Sequence, residues 1–532
     1  MTTAMVFVLA SASLAQAQPV YPEGAAIPRN LTPAEARYLA THPLSVPEYD
    51  GSVPGGPVWC PGEYERQQGV LISWEGPVTW TNILAQMAKH ITTTGDADVY
   101  VNLDAASEQP TAQSAIQSAG ANMSRVHFLV VPTDTIWIRD YGPRYIYEGG
   151  CRAIVDHTYN RPRPLDDAQP FHFGQVKGHH VYVLPLIHGG GNYHLNSLTQ
   201  ANTTRLINNE NPTLTEAQIH GYWQAFQDVD TVFYTPFPTF VDATQHIDMW
   251  MQIIADDVVM ISDWPNNAGS TQDQICDAAA VSMAALGYTV HRIPARSVSG
   301  IHYTYTNVVV CNDLILVPSY TNANVSPHNV PALAAWEAAA PEKTVVAINC
   351  EGIVSAAGVM HCIMMHVPAP LGGEIPTAFV RSQNDSPVYA PGSQWDVCWL
   401  ADDDKIVTSV DVLLSTNGGA TFPYVIAAGT AHDGELSWTV PDLATTRARI
   451  KVVARDADGN TGFDVTDADF TITGSRCAAD CEGDNDHDIF DFLCYQDAWV
   501  SQAPFADIEG DGDWDVFDFL AFQDLFASSS CP

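Results

Sequence analysis

Short apolar runs alternate with longer amphipathic stretches over much of the chain. Between residues 60 and 372, runs such as GVLISW, ADVYVNL and HVYVLPL are separated by stretches such as WTNILAQMAKHI and TQDQICDAAAVSMAALG. Short runs rich in β-branched residues predict buried strands, whereas longer stretches with helical periodicity predict helices. Their alternation therefore predicts an α/β domain over residues 60–372.

The pattern is different on both sides of this domain. Residues 18–59 are rich in Pro, Gly and Ala and show little periodicity, which predicts an extended lead-in that lies on the surface and contributes no chemistry. Beyond a Pro- and Gly-rich break, the runs in residues 377–474 become short and β-like, with turn dipeptides between them. That spacing predicts an all-β, immunoglobulin-like sandwich.

An internal repeat lies in residues 477–532. Two copies, DCEGDNDHDIFDFLCYQDAW and DIEGDGDWDVFDFLAFQDLF, match nearly position by position. Acidic side chains stand at the first, third, fifth, ninth and twelfth positions of each copy, namely Asp480, Glu482, Asp484, Asp488, Asp491 and Asp507, Glu509, Asp511, Asp515, Asp518. Oxygen ligands at this spacing can surround one Ca²⁺, and the apolar residues after each loop predict a helix. The pair resembles a dockerin-type calcium repeat, so we expect structural Ca²⁺ and docking to a protein or cell-surface partner; the alternative is a merely acidic tail.

The overall charge restricts the partners. The chain has 22 Lys and Arg against 61 Asp and Glu, a formal net charge of −39, which repels nucleic acid and anionic lipid and favours a cationic substrate. No apolar run after the N-terminus reaches the roughly 20 residues that span a bilayer, so no membrane insertion is expected. A hydrophobic fraction of 46% is typical of globular domains.

The N-terminus and the cysteines indicate the compartment. Residues 1–17 form an apolar run that ends in Ala-Gln-Ala, the small-x-small form of a signal-peptidase site. We therefore expect a secreted, cell-surface or periplasmic protein. The eleven cysteines are an odd number, which in an oxidising compartment leaves one thiol unpaired, as a working nucleophile would be.

Four short motifs in the α/β domain carry the residue types that guanidinium chemistry needs. That reaction requires carboxylates to hold the N–H groups, a thiolate to attack carbon, and an acid to protonate ammonia. Asp140 lies in WIRDYGP after a predicted strand, and His246 and Asp248 lie two residues apart in HID, on one face of a predicted strand. Asn307 follows Thr in HYTYTN, and Cys362 follows VSAAGVMH. Alone, each motif is more often structural: a turn, an incidental triplet, a strand cap or a buried inert cysteine.

In combination, the order W-x-R-D-x-G-P, H-x-D, T-N and H-C resembles the guanidine-modifying superfamily, specifically the Porphyromonas-type peptidylarginine deiminases and their agmatine deiminase relatives. The resemblance implies the pentein fold, a five-fold pseudo-symmetric α/β propeller of ββαβ units around a central active site. It also implies roles for single residues: nucleophile for Cys362, general acid/base for His246, guanidinium contacts for Asp140 and Asp248, a supporting contact for Asn307, and packing against the arginine for Trp137.

Two further segments bear on the substrate. Arg161 and Arg163 alternate with prolines in NRPRP, so they form a stiff cationic pair that requires an anionic partner. The pair resembles the site where peptidylarginine deiminases receive the carboxylate of a C-terminal arginine; the alternative is a salt bridge to Asp166 or Asp167. The glycines of GGGN, residues 189–192, could allow backbone to approach the substrate.

The sequence therefore predicts a secreted deiminase of peptidylarginine, with a preference for C-terminal arginine. It would produce citrulline and ammonia through a covalent thiouronium on Cys362, without a cofactor for catalysis. An agmatine deiminase and an amidinotransferase of the same superfamily are alternatives. A third is a secreted calcium-dependent scaffold or binding protein with an inactive pentein domain, against which the retention of the whole candidate site argues.

Overall fold

The computed structural model describes residues 18–47, 51–474, 479–482 and 487–528. Residues 1–373 form one unit of the chain and residues 374–532 form a second. The predicted signal peptide, residues 1–17, lies outside the described residues, as does Asp484 of the first acidic repeat. In the described ranges, no helix combines the length and apolarity needed to cross a membrane.

The first unit alternates strands with helices. Its strands are β1 (Val58–Trp59), β2 (Gln67–Ser73), β3 (Asp98–Leu103), β4 (Val126–Val130), β5 (Arg144–Glu148), β6 (Cys151–Tyr159), β7 (His180–His188), β8 (Tyr193–Leu195), β9 (Gln200–Thr204), β10 (Asp230–Tyr234), β11 (Met251–Ala255), β12 (Val258–Asp263), β13 (Thr289–Pro294), β14 (Arg296–Val298), β15 (Ile301–Tyr303), β16 (Val309–Cys311), β17 (Leu314–Ser319), β18 (Thr344–Asn349) and β19 (Met365–Pro368). Its helices are α1 (Pro33–Leu39), α2 (Val78–Thr93), α3 (Gln109–Ala119), α4 (Ile138–Tyr141), α5 (Pro164–Asp167), α6 (Gln169–Lys177), α7 (Leu206–Glu210), α8 (Glu216–Gln227), α9 (Thr271–Ala285) and α10 (Asn329–Ala339). The α/β class predicted from the sequence is confirmed.

One local pattern recurs in five of the sheets. An antiparallel pair is followed by a helical connection and a third strand that runs parallel to its neighbour, because a parallel partner needs a crossover connection. The five groups are β19-β2-β3, β5-β6-β7, β8-β9-β10, β11-β12-β13 and β16-β17-β18. In the first group the last strand of the unit pairs with β2, which joins the two ends of the domain.

Helix α2 shows how the sequence builds these layers. Trp80, Leu84, Met87 and Ile91 recur at helical spacing and are buried, so one face of the helix packs into the core. Strand β2 is buried on both faces except at one position, which explains why it reads as a continuous apolar run rather than as an alternating one.

The lead-in is not wholly extended. Helix α1 begins after Thr32, whose hydroxyl accepts the N–H of Glu35 while the carboxylate of Glu35 accepts the N–H of Thr32. This reciprocal capping box, with Pro33 at the first helical position, explains why so short a helix forms here.

In its described residues, the second unit contains two sheets and two α-helices. Its elements are β20 (Thr377–Val380), β21 (Val388–Tyr389), β22 (Gln394–Asp402), β23 (Val407–Ser415), β24 (Tyr424–Thr430), β25 (Glu435–Thr439), β26 (Thr445–Asp456), β27 (Thr461–Val465), β28 (Phe470–Ile472), α11 (Ile489–Val500) and α12 (Val516–Ser528). The sheets β20-β22-β25 and β21-β28-β26-β23-β24, with β27 beside β26, share one apolar core. Tyr495 and Phe522 stack between the two helices at 3.8 Å, and Cys481 is disulfide-bonded to Cys494.

Candidate active site

Short turns between the strands carry the predicted site residues. Asp140 lies in α4, and Cys362 lies in a 3₁₀ turn, His361–Ile363. Asp248 also lies in a 3₁₀ turn, Ile247–Met249, with His246 at its N-cap. The strand predicted for His246-Ile247-Asp248 is therefore wrong.

The cause of that difference is the side chain of Asn192. Its Oδ1 accepts the N–H of Ile247 at 3.2 Å and the N–H of Thr204 at 3.1 Å. This amide takes the place of a strand partner for Ile247, so the segment turns instead of extending. Both predicted side chains nevertheless face one site, because His246 Nδ1 is 3.4 Å from Asp140 and Asp248 is 3.6 Å from the thiol of Cys362.

Asn307 connects the turn of the nucleophile to the turn of the carboxylate. Its Oδ1 accepts the N–H groups of Val359 and His361 at 3.3 and 3.2 Å, and its Nδ2 donates to the carbonyl of Asp248 at 3.2 Å. The thiol of Cys362 lies 3.3 Å from the same Oδ1. All of these groups are buried, so Asn307 fixes the thiol relative to Asp248.

A side chain from the lead-in fills the space between these groups. The guanidinium of Arg29 is fully buried and donates to both oxygens of Asp140, from Nε at 2.9 Å and from Nη2 at 2.7 Å. It also donates to Asp248 from Nη1 at 3.1 Å and from Nη2 at 3.0 Å. Its Nη1 is 2.7 Å from the sulfur of Cys362, and its Nη2 is 2.7 Å from His246 Nδ1. The prediction that the lead-in stays on the surface is therefore wrong at Arg29, because two buried carboxylates attract its cation.

The cationic pair predicted to meet a carboxylate holds the lead-in. Arg161 donates from Nε to the carbonyl of Arg29 at 3.1 Å. Arg163 donates to the carbonyl of Pro28 at 2.8 Å and pairs with Glu35 at 2.8 Å. The anionic partner of Arg163 is thus a residue of the lead-in, rather than the aspartates of α5 that the sequence offered as the alternative.

The backbone before Arg29 is held as well. The indole N–H of Trp137 donates to the carbonyl of Ile27 at 2.8 Å, and the N–H of Arg29 donates to the carbonyl of Ala356 at 3.0 Å. The sequence predicts packing of Trp137 against an arginine side chain; in the structure its indole N–H donates to the main chain of the segment that carries Arg29. The site therefore binds the main chain on both sides of a buried arginine.

The glycine loop predicted to approach the substrate lies against the guanidinium of Arg29. A Cβ atom added to Gly191 would lie 1.9 Å from Arg29 Nη2 and 2.7 Å from an oxygen of Asp140. The N–H of Gly191 donates to Asp140 at 3.2 Å. Any larger residue at position 191 would exclude the guanidinium, so the glycine is required by close approach.

Sequence reasoning missed a chain of charges behind Asp248. His361 lies 3.0 Å from Asp248 through Nδ1 and 3.0 Å from Glu63 through Nε2, and Glu63 pairs with Arg139 at 2.8 Å. The one available signal was the position of His361 beside the cysteine, since Glu63 lies in no motif. Glu63, His194 and His361 lie close enough together to hold a metal ion. However, the guanidinium of Arg139 already balances the charge of Glu63.

Burial and the guanidinium oppose each other in setting the ionisation of the site. Burial acts to raise the pKa of Asp140, but Arg29 and His246 hold it well below its usual value. Burial likewise acts on Asp248, and Arg29 together with His361 lowers the pKa of that carboxyl. Burial raises the pKa of the Cys362 thiol well above its usual value, while the charge of Arg29 acts to lower it. A bound guanidinium therefore keeps both carboxylates ionised and favours the thiolate.

We expect Glu35→Gln to loosen the lead-in, because the substitution leaves the buried cation of Arg163 without its carboxylate. Loss of one charge of a buried pair costs about 3 kcal/mol, or roughly a hundredfold in the population of the open state. The measurement is the rate of trypsin cleavage after Arg29 in protein that also carries Cys362→Ala. Glu216→Gln is the control, since its pair with Arg205 is exposed and contributes under about 1 kcal/mol. Equal cleavage rates in the two variants would contradict the anchoring role of Glu35.

The first unit of the chain is similar in sequence to known proteins. The sequence profile of the Porphyromonas-type peptidyl-arginine deiminases matches residues 59–368. A Selenomonas ruminantium protein, named provisionally as an agmatine deiminase, is 20% identical over 379 residues, which cover 61% of this chain and 98% of that protein.

Solved structures show the same fold. An agmatine deiminase of Enterococcus faecalis matches with a TM-score of 0.52 at 19% identity, over 60% of this chain and 99% of its own. A provisionally named arginine deiminase of Porphyromonas gingivalis matches with a TM-score of 0.51 at 17% identity, over 59% of this chain and 98% of its own. The chain belongs to the Porphyromonas-type peptidyl-arginine deiminase family of the pentein superfamily and is a cysteine-dependent hydrolase of linear amidines.

Proposed function

We propose that this protein hydrolyses the guanidinium of arginine in peptides to citrulline and ammonia, through a covalent thiouronium on Cys362. The observation that supports this substrate is Arg29, an arginine within a peptide whose guanidinium lies against the thiol and both carboxylates. The carbonyl of Arg29 is bound by Arg161, a contact that agmatine, which has no carbonyl group, cannot make.

In the first half-reaction the thiolate of Cys362 attacks the guanidinium carbon. Asp140 and Asp248 hold the nitrogens in one plane and balance the cation, so the carbon is presented to the sulfur. His246 Nδ1 lies against Nη2, which makes Nη2 the nitrogen that leaves. Protonated His246 gives its proton to this nitrogen, the C–N bond breaks, and ammonia departs from an S-alkylthiouronium cation.

In the second half-reaction water replaces the sulfur. His246 takes a proton from the water as its oxygen bonds to carbon, and the C–S bond then breaks to regenerate the thiolate. The remaining hydroxyl proton converts ammonia to ammonium, and the product is the neutral urea group of citrulline. The other ring nitrogen of His246 has no hydrogen-bond partner among the described residues, and an imidazole can both give and take a proton, as the two half-reactions require.

Arg161 supports a preference among arginine substrates. A C-terminal arginine would place a carboxylate oxygen where the carbonyl of Arg29 now accepts the bond from Arg161, and a charged acceptor strengthens such a bond roughly twofold. Agmatine deimination is the second candidate, because relatives such as the Selenomonas protein carry that name. Amidino transfer to an amine would use the same first half-reaction.

The test is the release of citrulline and ammonia from four substrates: a peptide ending in arginine, a peptide with internal arginine, free arginine and agmatine. We expect the peptides to be preferred, and Arg161→Ala to reduce kcat/KM on them by roughly 10- to 100-fold. Turnover of agmatine should change less than threefold in that variant. Preference for agmatine by the wild-type protein, or an equal loss on all substrates, would contradict the peptide assignment.

We further propose that the second unit binds Ca²⁺ and docks the enzyme to another protein or to the cell surface. In the second repeat, Asp518 is buried and accepts the N–H groups of Ile508, Glu509 and Asp515, which fixes one carboxylate at the end of the loop. Carboxylate oxygens are the ligand type that Ca²⁺ prefers, and the residues that would hold it are the acidic positions of the two repeats. The propeller arrangement of the five strand groups, the immunoglobulin-like character of the two sheets, and export also stay predictions.

A further inference from the structure

The lead-in is held in the active site as a bound peptide would be. Its arginine is anchored by Asp140 and Asp248, and its main chain is anchored by Trp137 and Arg161. The helix that follows is anchored by the pair of Glu35 and Arg163. No other guanidinium can reach the two carboxylates while Arg29 lies between them, because the guanidinium is fully buried. An added substrate can therefore bind only after the lead-in has left the active site.

The contacts of Arg29 are those of a reactant. Its Nη1 lies 2.7 Å from the sulfur of Cys362, and its Nη2 lies 2.7 Å from the imidazole of His246. A purely structural buried arginine needs carboxylates and carbonyls as partners, but it does not need a thiol and a histidine. Resting on the function proposed above, we propose that Arg29 is a modification site: Cys362 deiminates it within the same molecule, and the citrulline formed releases the lead-in from the active site.

The reaction balances without any additional reagent. Cys362 sulfur bonds to the carbon of the Arg29 guanidinium, the bond from carbon to Nη2 breaks, and His246 protonates the departing ammonia. Water then bonds to the same carbon, the C–S bond breaks, and the thiolate is restored. One arginine and one water give one citrulline and one ammonium ion, and no group is oxidised or reduced.

The product binds more weakly than the reactant. Citrulline is uncharged, so Asp140 and Asp248 lose the cation that compensates their burial. Removing one partner from a buried ion pair leaves charges that water solvates better than the protein does. We expect the fraction of molecules with an open site to rise by roughly 100-fold or more, which gives added substrates access.

The experiment is peptide mapping of the full-length protein by mass spectrometry. Citrulline at position 29 changes the mass and prevents trypsin cleavage there. We expect conversion in the wild-type protein and none in Cys362→Ala. Arg37 is an internal control, because it lies exposed at the end of α1 in the same lead-in and should stay arginine in both. Conversion within one molecule also predicts that active enzyme added to Cys362→Ala leaves its Arg29 unchanged.

The variants Arg29→Gln and Cys362→Ala show whether release of the lead-in gives added substrates access to the active site. The glutamine in Arg29→Gln is uncharged like citrulline, so this variant should turn over an added arginine peptide without a lag. Wild-type protein that still carries arginine at position 29 should show a lag, and the lag should last until Arg29 has been converted. Trypsin should cut the lead-in of Arg29→Gln at Arg37 more readily than in Cys362→Ala. The trypsin comparison is independent of the conversion itself, because neither variant can convert position 29.

The outcomes separate this inference from the proposed function. If added peptides are turned over while Arg29 stays arginine, the inference is overturned and the proposed function stands. Conversion of Arg29 in Cys362→Ala, or equal conversion of Arg37, would also overturn it. If folded, reduced Arg29→Gln turns over no guanidine at all, the proposed function itself has failed.

Discussion

Replacing Cys362 with alanine is expected to lower kcat for citrulline formation by on the order of 10⁴-fold or more, to the level of the background. The sulfur is the nucleophile that lies against the guanidinium in the part of the chain that the structure describes, and the thiouronium cannot form without it. The measurement is ammonia and citrulline release from an arginine peptide, in the Arg29→Gln background so that both proteins have an open site.

Cys350→Ala is the matched control for this loss. Cys350 is also fully buried, burial raises the pKa of its thiol, and it lies at the end of β18 in the apolar core. Its removal should cost about 1 kcal/mol of stability and leave kcat unchanged. Residual activity of Cys362→Ala above a hundredth of wild type, or an equal loss in Cys350→Ala, would remove Cys362 from the role of nucleophile.

The candidate site was predictable because its members lie in local motifs whose order along the chain is distinctive. Asp140, His246, Asp248 and Cys362 are each ambiguous alone, but the structure places all of them around one guanidinium. The place of Asp140 in the fold also followed from the sequence, since it stands where a predicted strand runs out into a turn. His246 and Asp248 were instead predicted within a strand and lie in a turn.

The sequence could not show the contacts between charged residues that lie far apart along the chain. Arg29 stands in a segment without periodicity, and its burial is decided by carboxylates 111 and 219 residues away. Glu63 meets His361 across 298 residues. No local pattern carries such information, because a buried charge is stable only where the fold delivers its counter-charge. The error at His246-Ile247-Asp248 has the same origin, in the side chain of the distant Asn192.

The acidity of the chain extends into the active site, where it affects which groups bind. Asp140 and Asp248 are buried together, so their repulsion favours any guanidinium that can enter. The same charges that would select a substrate also draw in Arg29. An enzyme with this site therefore needs a way to part from its own lead-in, and a reaction that removes the charge of arginine provides one.

Asp140→Asn is expected to reduce kcat/KM on arginine peptides by about 10³-fold, because breaking a buried charge pair costs about 3–5 kcal/mol. Asp140 receives Nε and Nη2 of the guanidinium together and lies 3.4 Å from His246, so an amide turns one acceptor into a donor facing N–H groups. Asp166→Asn is the control: this carboxyl is also buried, and its oxygens accept the N–H groups of Asp134 and Thr135 and the hydroxyl of Thr135. Burial, followed by Asp134, raises the pKa of Asp166 well above its usual value. These partners belong to the fold and not to the guanidinium site, so the substitution should affect thermal stability more than kcat/KM. The measurement is kcat/KM of both variants on an arginine peptide, and thermal unfolding confirms that both are folded. A loss in Asp140→Asn no larger than in Asp166→Asn would mean that Asp140 supports the fold and does not hold the substrate.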